Sequence, residues 1–331
     1  MLNVFAAALS VVAGVGWVGW RTRTGQDRAV RELVEARSDA GSNLVVYTRA
    51  GRRGLKDAGG NFVPLGTYSR IASSSPVADN LLYALAEPSR VIARSEHGAE
   101  SSAFRYRYAY KETSTIAGSD DVETILAVEP DLVFVHGGSP KNRYARIREA
   151  GVYVFDLGSM LGVDALVEDI LQMSALLGRP ERGRVLADRF RRRLARVAQN
   201  VAVGARPTAL YLSVYGGKIY GGTVGSSYHD LLHFSGLNDL AAERFRGWPR
   251  FSPEDLWVMN PDVVVTQKGM GVVLCGLTGL AELRACAEKA PSEQEGALWG
   301  IVELEPALLS LPSLDMLEAV EAIYESVHGE R

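Results

Sequence analysis

The sequence predicts an α/β fold with two lobes joined by a helical segment, and two observations lead to this prediction. A helical stretch, a Pro-Asp pair and an apolar run follow one another twice, at residues 123–135 and 254–266. Each apolar run is rich in β-branched residues and is typical of a strand buried on both faces of a parallel sheet. Between the two copies, Val163–Val201 carries apolar residues at helical spacing. Two lobes of related topology and a stiff helical connector are therefore expected.

The composition is that of a globular protein with no excess of either charge. The chain has 331 residues, with 47% hydrophobic residues, 36 Lys+Arg and 39 Asp+Glu, and its net charge is −3. This length suits two ordinary domains. Because a near-neutral chain lacks a general basic surface for binding phosphates, we expect no nucleic-acid partner.

The first 26 residues carry an uncharged apolar run. Leu2–Trp20 contains no charged side chain, and Arg21 and Arg23 follow directly. The run approaches the roughly 20 residues that span a bilayer, so residues 1–26 are interpreted as a secretory signal peptide or a membrane anchor. A buried core helix is the alternative. Residues 27–50 are expected to be a linker, with a short helix as the other interpretation.

Local signals then predict the elements of the two lobes. Residues 55–65 predict a β-hairpin that turns at Ala58-Gly59-Gly60-Asn61. Further strands are predicted over 70–73, 90–93, 152–155 and 208–214, and helices over 77–85 and 226–234. The first of these strands ends in a serine turn, Ser73–Ser75.

The repeated unit carries helix signals as well. Asp121 and Ser252 are placed to cap the two helices, and Glu123 and Glu254 in the first turn complement the helix dipole. The proline of each Pro-Asp pair then ends the helix, because it cannot continue the hydrogen-bond ladder.

The connector is predicted to contain two helical segments. Val163–Leu177 is the first, Gly178-Arg179-Pro180 interrupts the helix, and Glu181–Val201 resumes it over roughly 30 Å. The expected organisation is a first lobe over 51–163, a connecting helical segment over 164–203, and a second lobe over 204–331.

Taken in order, these segments resemble the substrate-binding proteins of ABC importers for ferric siderophores, haem and cobalamin. The resemblance covers about residues 53–327. The stretches that carry it are LKDAGGNFVPL, RIASSSPVADNLLYAL, VETILAVEPDLVF, GRPERGRVLADRF, GSSYHDLLHFSGLNDL, SPEDLWVMNPDVVV and LWGIVELEPALLSLPS. The resemblance implies two Rossmann-like αβα lobes joined by a single long helix, with a ligand cleft between the lobes.

The resemblance also implies a non-catalytic function. Such a protein captures an iron chelate (a ferric siderophore), haem or cobalamin and delivers it to an ABC permease dimer in the inner membrane. We expect a periplasmic or otherwise extracytoplasmic monomer, anchored by residues 2–20 if that run is retained, with no cofactor besides its cargo. In this family a glutamate on each lobe docks into arginine pockets of the permease, and Glu123 and Glu254 are the matching residues.

Candidate ligand contacts come from the rule that ligands bind beyond the carboxyl ends of the strands. Positions after strands, together with positions where the family places cleft groups, give the set Ser74, His97, Arg105, Tyr106, Arg107, Tyr108, His136, Tyr215, Tyr228, Trp248 and Arg250. In the extended reading of residues 105–108, arginines for an anionic chelate and tyrosines for a flat ring lie on opposite sides. An exposed loop with packed tyrosines is the alternative. Direct metal ligation by His97, Tyr106, His136 or Tyr215 stays open.

Other chemistry is represented by two weaker signals. His229 and His233 lie four residues apart on a helix, a spacing that can chelate zinc, but no third ligand is evident. Cys275 and Cys286 are too few for an all-thiolate zinc site; they either form a disulfide or remain unpaired thiols.

Two alternative functions stay open beside the importer hypothesis. The first is a two-lobed metallocofactor enzyme such as a chelatase, for which the sequence offers no nucleophile elbow or nucleotide motif. The second is a membrane-anchored sensor that has kept the binding fold.

Overall fold

A computed structural model describes most of the chain. The described residues are 34–38, 44–96, 113–116, 122–136, 141–159, 161–201, 206–277, 280–286, 300–309 and 312–329, and they form sixteen strands and nine α-helices. The apolar run Leu2–Trp20, His97, Arg105–Tyr108 and Asp121 lie outside this part of the chain. Within it, no helix has the length and apolar character that crossing a membrane requires.

An antiparallel sheet of four strands precedes the first lobe. Its strands follow one another in chain order: β1 (Val34–Ser38), β2 (Val45–Arg49), β3 (Arg52–Lys56) and β4 (Phe62–Pro64). The predicted hairpin is β3–β4, and it turns where predicted. The linker prediction for residues 27–50 is wrong where β1 and β2 lie. Leu44 and Val46 are buried while Val45 between them is exposed, which is the alternation of a strand with one face on a core.

The first lobe is built on a five-stranded parallel sheet. In chain order its strands are β5 (Ile71–Ser73), β6 (Val91–Ser95), β7 (Ser114–Ile116), β8 (Leu132–Val135) and β9 (Tyr153–Asp156), arranged as β7-β6-β5-β8-β9. The helices between them are α1 (Pro76–Leu85), α2 (Val122–Ala127) and α3 (Lys141–Glu149). Leu132 and Phe134 join one hydrophobic cluster, and Val133 and Val135 join another. The sheet is therefore covered on both faces, as the apolar run predicted.

Two helices form the connector, and they meet at the predicted interruption. They are α4 (Gly162–Leu176) and α5 (Pro180–Asn200), the longest helix described. Gly183 of α5 lies so close to Ser174 of α4 that a Cβ there would collide with the serine side chain. The two predicted helical segments are thus a closely packed pair, and α5 is the long helix of the connector.

The second lobe repeats the architecture on a four-stranded parallel sheet. Its sheet has the order β13-β10-β15-β16, and a small antiparallel sheet, β11-β12-β14, lies beside it. The strands are β10 (Thr208–Tyr211), β11 (Ser213–Tyr215), β12 (Lys218–Tyr220), β13 (Asn238–Asp239), β14 (Arg250–Phe251), β15 (Val263–Gln267) and β16 (Gly300–Leu304). The helices are α6 (Ser227–Phe234), α7 (Pro253–Met259), α8 (Met270–Gly276) and α9 (Met316–His328). Again the two faces of the parallel sheet belong to different hydrophobic clusters.

The Pro-Asp pair has the same structural role in both lobes. Asp131 accepts hydrogen bonds from the backbone N–H groups of Ser69 at 2.6 Å and Arg70 at 3.1 Å, just before β5. Asp262 accepts from the N–H of Thr208, the first residue of β10, at 2.9 Å. Each aspartate therefore fixes the start of the neighbouring strand.

The connector joins the lobes through a shared core. The largest hydrophobic cluster contains Ile71 of the first lobe, Ile170 and Phe190 of the connector, and Val263 and Ile323 of the second lobe. Such continuous packing resists bending, because interiors pack as densely as organic crystals.

Candidate functional site

Two candidate residues lie next to each other at the carboxyl edge of the first sheet. Ser74 follows β5 and donates its backbone N–H to Phe134 O on the adjacent strand at 3.1 Å, and His136 follows that strand, β8. Ser74 is buried and His136 is half-buried. The Ser74 Oγ and His136 Nδ1 atoms have no hydrogen-bond partner among the described residues. Burial lowers the pKa of His136, against an opposing effect of Asp156, so the imidazole is neutral at pH 7.

A buried carboxyl lies behind this edge, and sequence reasoning missed it. Asp79 of α1 accepts hydrogen bonds from the Ser95 hydroxyl at 2.5 Å and the Ser95 N–H at 3.2 Å. Burial raises the pKa of Asp79 to about 7, although hydrogen bonds from Ser95 and Ser73 oppose the shift. The only signal in the sequence was one acidic residue inside the apolar helix 77–85.

An aromatic cluster lies at the corresponding edge of the second sheet. Tyr211, the last residue of β10, stacks on Tyr228 of α6 with ring centroids 3.9 Å apart. The Trp248 ring packs against both tyrosines. Its centroid lies 5.1 Å from that of Tyr228 and 5.8 Å from that of Tyr211, and Trp248 is 47% exposed. The Tyr228 hydroxyl donates to Leu309 O at 2.6 Å. Its polar atom therefore already has a partner, and Tyr228 contributes its ring to the packing of Trp248. The cluster presents one half-exposed indole that a flat ring could stack on.

The small antiparallel sheet carries two more candidates. Tyr215, at the end of β11, is 81% exposed, and Arg250 on β14 is exposed as well. Gly216 and Gly217 join β11 to β12 with φ values of 57° and 70°. This turn has positive φ at both positions, a conformation that glycine adopts without a steric penalty.

Glu123 and Glu254 occupy equivalent positions. Each lies in the first turn of the helix that precedes a central strand, and each is exposed. Since these helices run back along the sheet before the next parallel strand, their first turns lie at the carboxyl edges. Glu123 has a weak, exposed ion pair with Arg146 at 3.5 Å. Ser252 caps α7 in a capping box with Asp255, as its position predicted.

The two histidines of α6 have different surroundings. Asp239, which is buried, lies 2.8 Å from His229 Nδ1 and also accepts from the Thr223 hydroxyl at 2.7 Å. Burial, Arg206 and His229 lower the pKa of His233, and the Arg206 guanidinium lies 3.4 Å from its Nδ1. A cation at His233 would be repelled by this arginine. Among the described residues, no three His, Cys, Asp or Glu side chains are grouped to hold a metal ion.

Cys275 and Cys286 form a disulfide bond, with Cα atoms 5.6 Å apart. This resolves the alternative that the sequence left open. The bond ties α8 to the short turn Arg284–Cys286 beside the second sheet.

One described cavity lies away from these residues. An open cavity of about 630 Å³ is found at the amino edge of the first sheet, where Tyr68, Asp131 and Tyr153 line it. The Tyr68 hydroxyl donates to Pro64 O at 2.5 Å, and Asp131 is occupied by the backbone of Ser69 and Arg70. The Tyr68 and Asp131 side chains that line this cavity thus already have hydrogen-bond partners.

Comparison with other sequences identifies relatives of this chain. Residues 71–279 match the model of a family described as periplasmic binding protein. The cobalamin-binding protein of Halobacterium salinarum (strain ATCC 29341 / DSM 671 / R1) is 24% identical over 205 residues, which are 60% of this chain and 53% of that protein. The chain thus spans about half the length of this relative. The vitamin B12-binding protein of Photorhabdus laumondii is 22% identical over 204 residues, covering 60% of this chain and 71% of the relative.

Solved structures share the fold. The periplasmic haem-binding protein of Roseiflexus sp. RS-1 superposes with a TM-score of 0.64 at 22% identity, covering 79% of this chain and 99% of that one. The periplasmic vitamin B12-binding protein of Vibrio cholerae gives 0.62 at 23% identity, covering 78% and 96%. With the family match extending over more than half of its residues, the chain belongs to the periplasmic binding protein family, a family of two-lobed binding proteins.

Proposed function

We propose that this protein is the substrate-binding component of an ABC importer and that it captures an iron chelate, haem or a corrinoid between its lobes. The observation that carries the proposal is that the carboxyl edge of each parallel sheet presents candidate ligand contacts. One edge offers the neutral imidazole of His136, and the other offers the half-exposed Trp248 on its two tyrosines. A flat metal macrocycle has aromatic faces for stacking and a metal centre that a neutral nitrogen can approach.

Delivery to a permease is the second part of the proposal. Glu123 and Glu254 are exposed carboxylates at the carboxyl edges of their sheets, which are the same edges that carry the candidate ligand contacts. Exposed carboxylates can pair with arginines across an interface without a large prior desolvation penalty. The membership in a periplasmic family supports an extracytoplasmic location, and the run Leu2–Trp20 is proposed as the export signal or anchor.

The experiment is a binding titration followed by tryptophan fluorescence. The full chain is titrated with haem, cyanocobalamin and a panel of ferric siderophores, in the wild type and in two variants. Trp248→Phe removes the proposed stacking partner, and Trp257→Phe removes another half-exposed indole, on α7, as a matched control.

We expect saturable quenching by one of these ligands, with a clear loss of quenching amplitude in Trp248→Phe and little change in Trp257→Phe. If no ligand quenches saturably, the proposed function is wrong. If Trp248→Phe keeps the full amplitude, the ligand does not contact the aromatic cluster.

A further inference from the structure

Helix α5 concentrates positive charge far beyond the average of the chain. Seven of its 21 residues are arginine, against two acidic residues, whereas Lys+Arg make up 36 of the 331 residues overall. The chain as a whole carries a net charge of −3. The arginines of α5 are therefore a local feature and do not follow from the overall composition.

Four of these arginines form one exposed line, which we call the α5 stripe: Arg182, Arg189, Arg192 and Arg196. At 3.6 residues per turn they fall within about 80° of each other around the helix axis and extend over about 21 Å. The opposite face of the helix is buried through Gly183, Ala187, Phe190, Leu194 and Val197. Packing of this buried face thus keeps the stripe exposed to solvent.

The stripe is not neutralised by the neighbouring acids. Arg184 pairs with Glu181, and Arg193 pairs with Glu321 on α9 at 2.6 Å. Within the part of the chain that the structure describes, the four stripe arginines have no ion pair. Their guanidinium groups are available for an anionic partner, and guanidinium matches phosphate oxygens in a bidentate manner.

The two ends of α5 lie near other edges of the sheets than Glu123 and Glu254 do. Arg90, just before β6, donates to Leu177 O at 3.0 Å, which places the connector's turn beside the amino edge of the first sheet. At its other end α5 leads into β10, whose first residue lies at the amino edge of the second sheet. Glu123 and Glu254 lie at the carboxyl edges. Both ends of α5 therefore lie near amino edges, whereas the two glutamates lie near carboxyl edges.

We propose that the α5 stripe binds the phosphate headgroups of an anionic phospholipid bilayer. A row of cations along one exposed face of a helix suits a flat charged surface, and Val185, 65% exposed within the stripe, can enter the headgroup layer. The family is periplasmic, so a membrane surface is close by, and Leu2–Trp20 is nearly long enough to span it.

The test reads the environment of the stripe itself, so that membrane insertion of Leu2–Trp20 does not confuse the result. Val185→Cys in the full chain is labelled with a polarity-sensitive fluorophore. The protein is mixed with vesicles containing phosphatidylglycerol or with vesicles of phosphatidylcholine alone, at low and high salt. The same label at Lys218→Cys, on the exposed β11–β12 turn, is the positional control.

Two charge variants complete the design. The stripe variant changes Arg182, Arg189, Arg192 and Arg196 to Gln. The matched variant removes the same number of charges from exposed positions elsewhere, by changing Arg49, Arg53, Lys218 and Arg244 to Gln.

We expect a blue shift of the label at position 185 with phosphatidylglycerol vesicles only. High salt should suppress it, and the stripe variant should weaken the apparent affinity by about tenfold or more, whereas the matched variant should retain the shift. The proposal is overturned if phosphatidylcholine gives an equal shift, or if both charge variants behave alike. It is also overturned if heparin without vesicles gives the same shift, since the stripe would then be a general polyanion site. None of these outcomes depends on the ligand titration.

Discussion

Asp169 is a buried acid in the middle of α4. Its Oδ2 atom has no hydrogen-bond partner among the described residues. Burial raises its pKa from 3.8 to about 8, and Glu168 adds to the shift. The folded state therefore holds a proton that the unfolded chain releases near pH 4. Stability from this group is fully present at acidic pH and is lost as the pH rises towards 8.

Replacing this acid with its amide tests whether the buried carboxyl lowers the stability of the protein as the pH rises. The melting temperature of Asp169→Asn should be close to that of the wild type at pH 4. It should exceed the wild-type value by a growing margin as the pH approaches 8. Each kcal/mol gained corresponds to roughly 1.5 °C in a chain of 331 residues, because unfolding entropy is about 2.1 cal/mol/K per residue. Thermal melts across this pH range measure the effect, with the exposed Asp188→Asn on α5 as control. A gain that is independent of pH, or a loss that grows with pH, would contradict the burial argument.

Single residues of the candidate site were predictable only where they directly follow a strand that the sequence predicts. Ser74, His136 and Tyr215 were found because each follows a predicted strand, and parallel strands bring such positions to one edge. Tyr211 was missed because an aromatic residue at the end of an apolar run is indistinguishable from core. Its role depends on contact with Trp248, which is 37 positions away in the sequence.

At the scale of elements, the Pro-Asp pair explains why the repeat is so regular. The proline ends the helix, and the aspartate binds the backbone that begins the adjacent strand. The residues before the two prolines, Glu129 and Asn260, both have positive φ, of 47° and 38°. The two lobes therefore use one turn geometry, and the side chain after the proline sets the strand register.

Removing these carboxylates should destabilise the fold. Asp131→Ala and Asp262→Ala each leave strand N–H groups without their charged acceptor, which should lower the free energy of unfolding by about 2 kcal/mol. Urea denaturation measures the loss. Glu305→Ala, which breaks only the exposed ion pair with Lys268, should change stability by less than about 1 kcal/mol and is the control. Losses of stability no larger than that of the control would mean that the hydrogen bonds of Asp131 and Asp262 to the strand backbone do not stabilise the fold.

Elements were predictable where their pattern was long enough to be periodic. The hairpin β3–β4, the central strands and the connector's interruption were all placed correctly. The strands β1 and β2 were missed because arginine and glutamate dominate that segment and hide the short alternation at Leu44–Val46. The small sheet β11-β12-β14 was missed because strands of two or three residues show no period.

At the scale of the whole molecule, the repeat predicted two lobes but not their relation to each other. That relation depends on the shared core along α4 and α5. In particular, Val163 N donates to Asp230 of α6 at 2.7 Å, which ties the start of the connector to the second lobe. Such a contact joins segments 67 residues apart and leaves no periodic trace in the sequence. The stiff connector favours small relative movements of the lobes over wide hinge closure.

The proposed transport function requires that capture and delivery use different residues. Ligand contacts are assigned to His136 and Trp248, whereas docking is assigned to Glu123 and Glu254. The glutamates are exposed and have no part in the aromatic cluster. Reversing their charge should therefore impair delivery to the permease and leave ligand binding unchanged.

The most direct measurement is therefore uptake and binding on the same variant. Glu123→Arg combined with Glu254→Arg replaces the native protein in the host, with Glu149→Arg combined with Glu243→Arg, two exposed positions elsewhere, as control. The account predicts that the first pair abolishes uptake of the ligand identified by fluorescence while its affinity stays at the wild-type value, and that the control pair changes neither. Normal uptake in the first pair, or an affinity loss as large as the uptake loss, would contradict it.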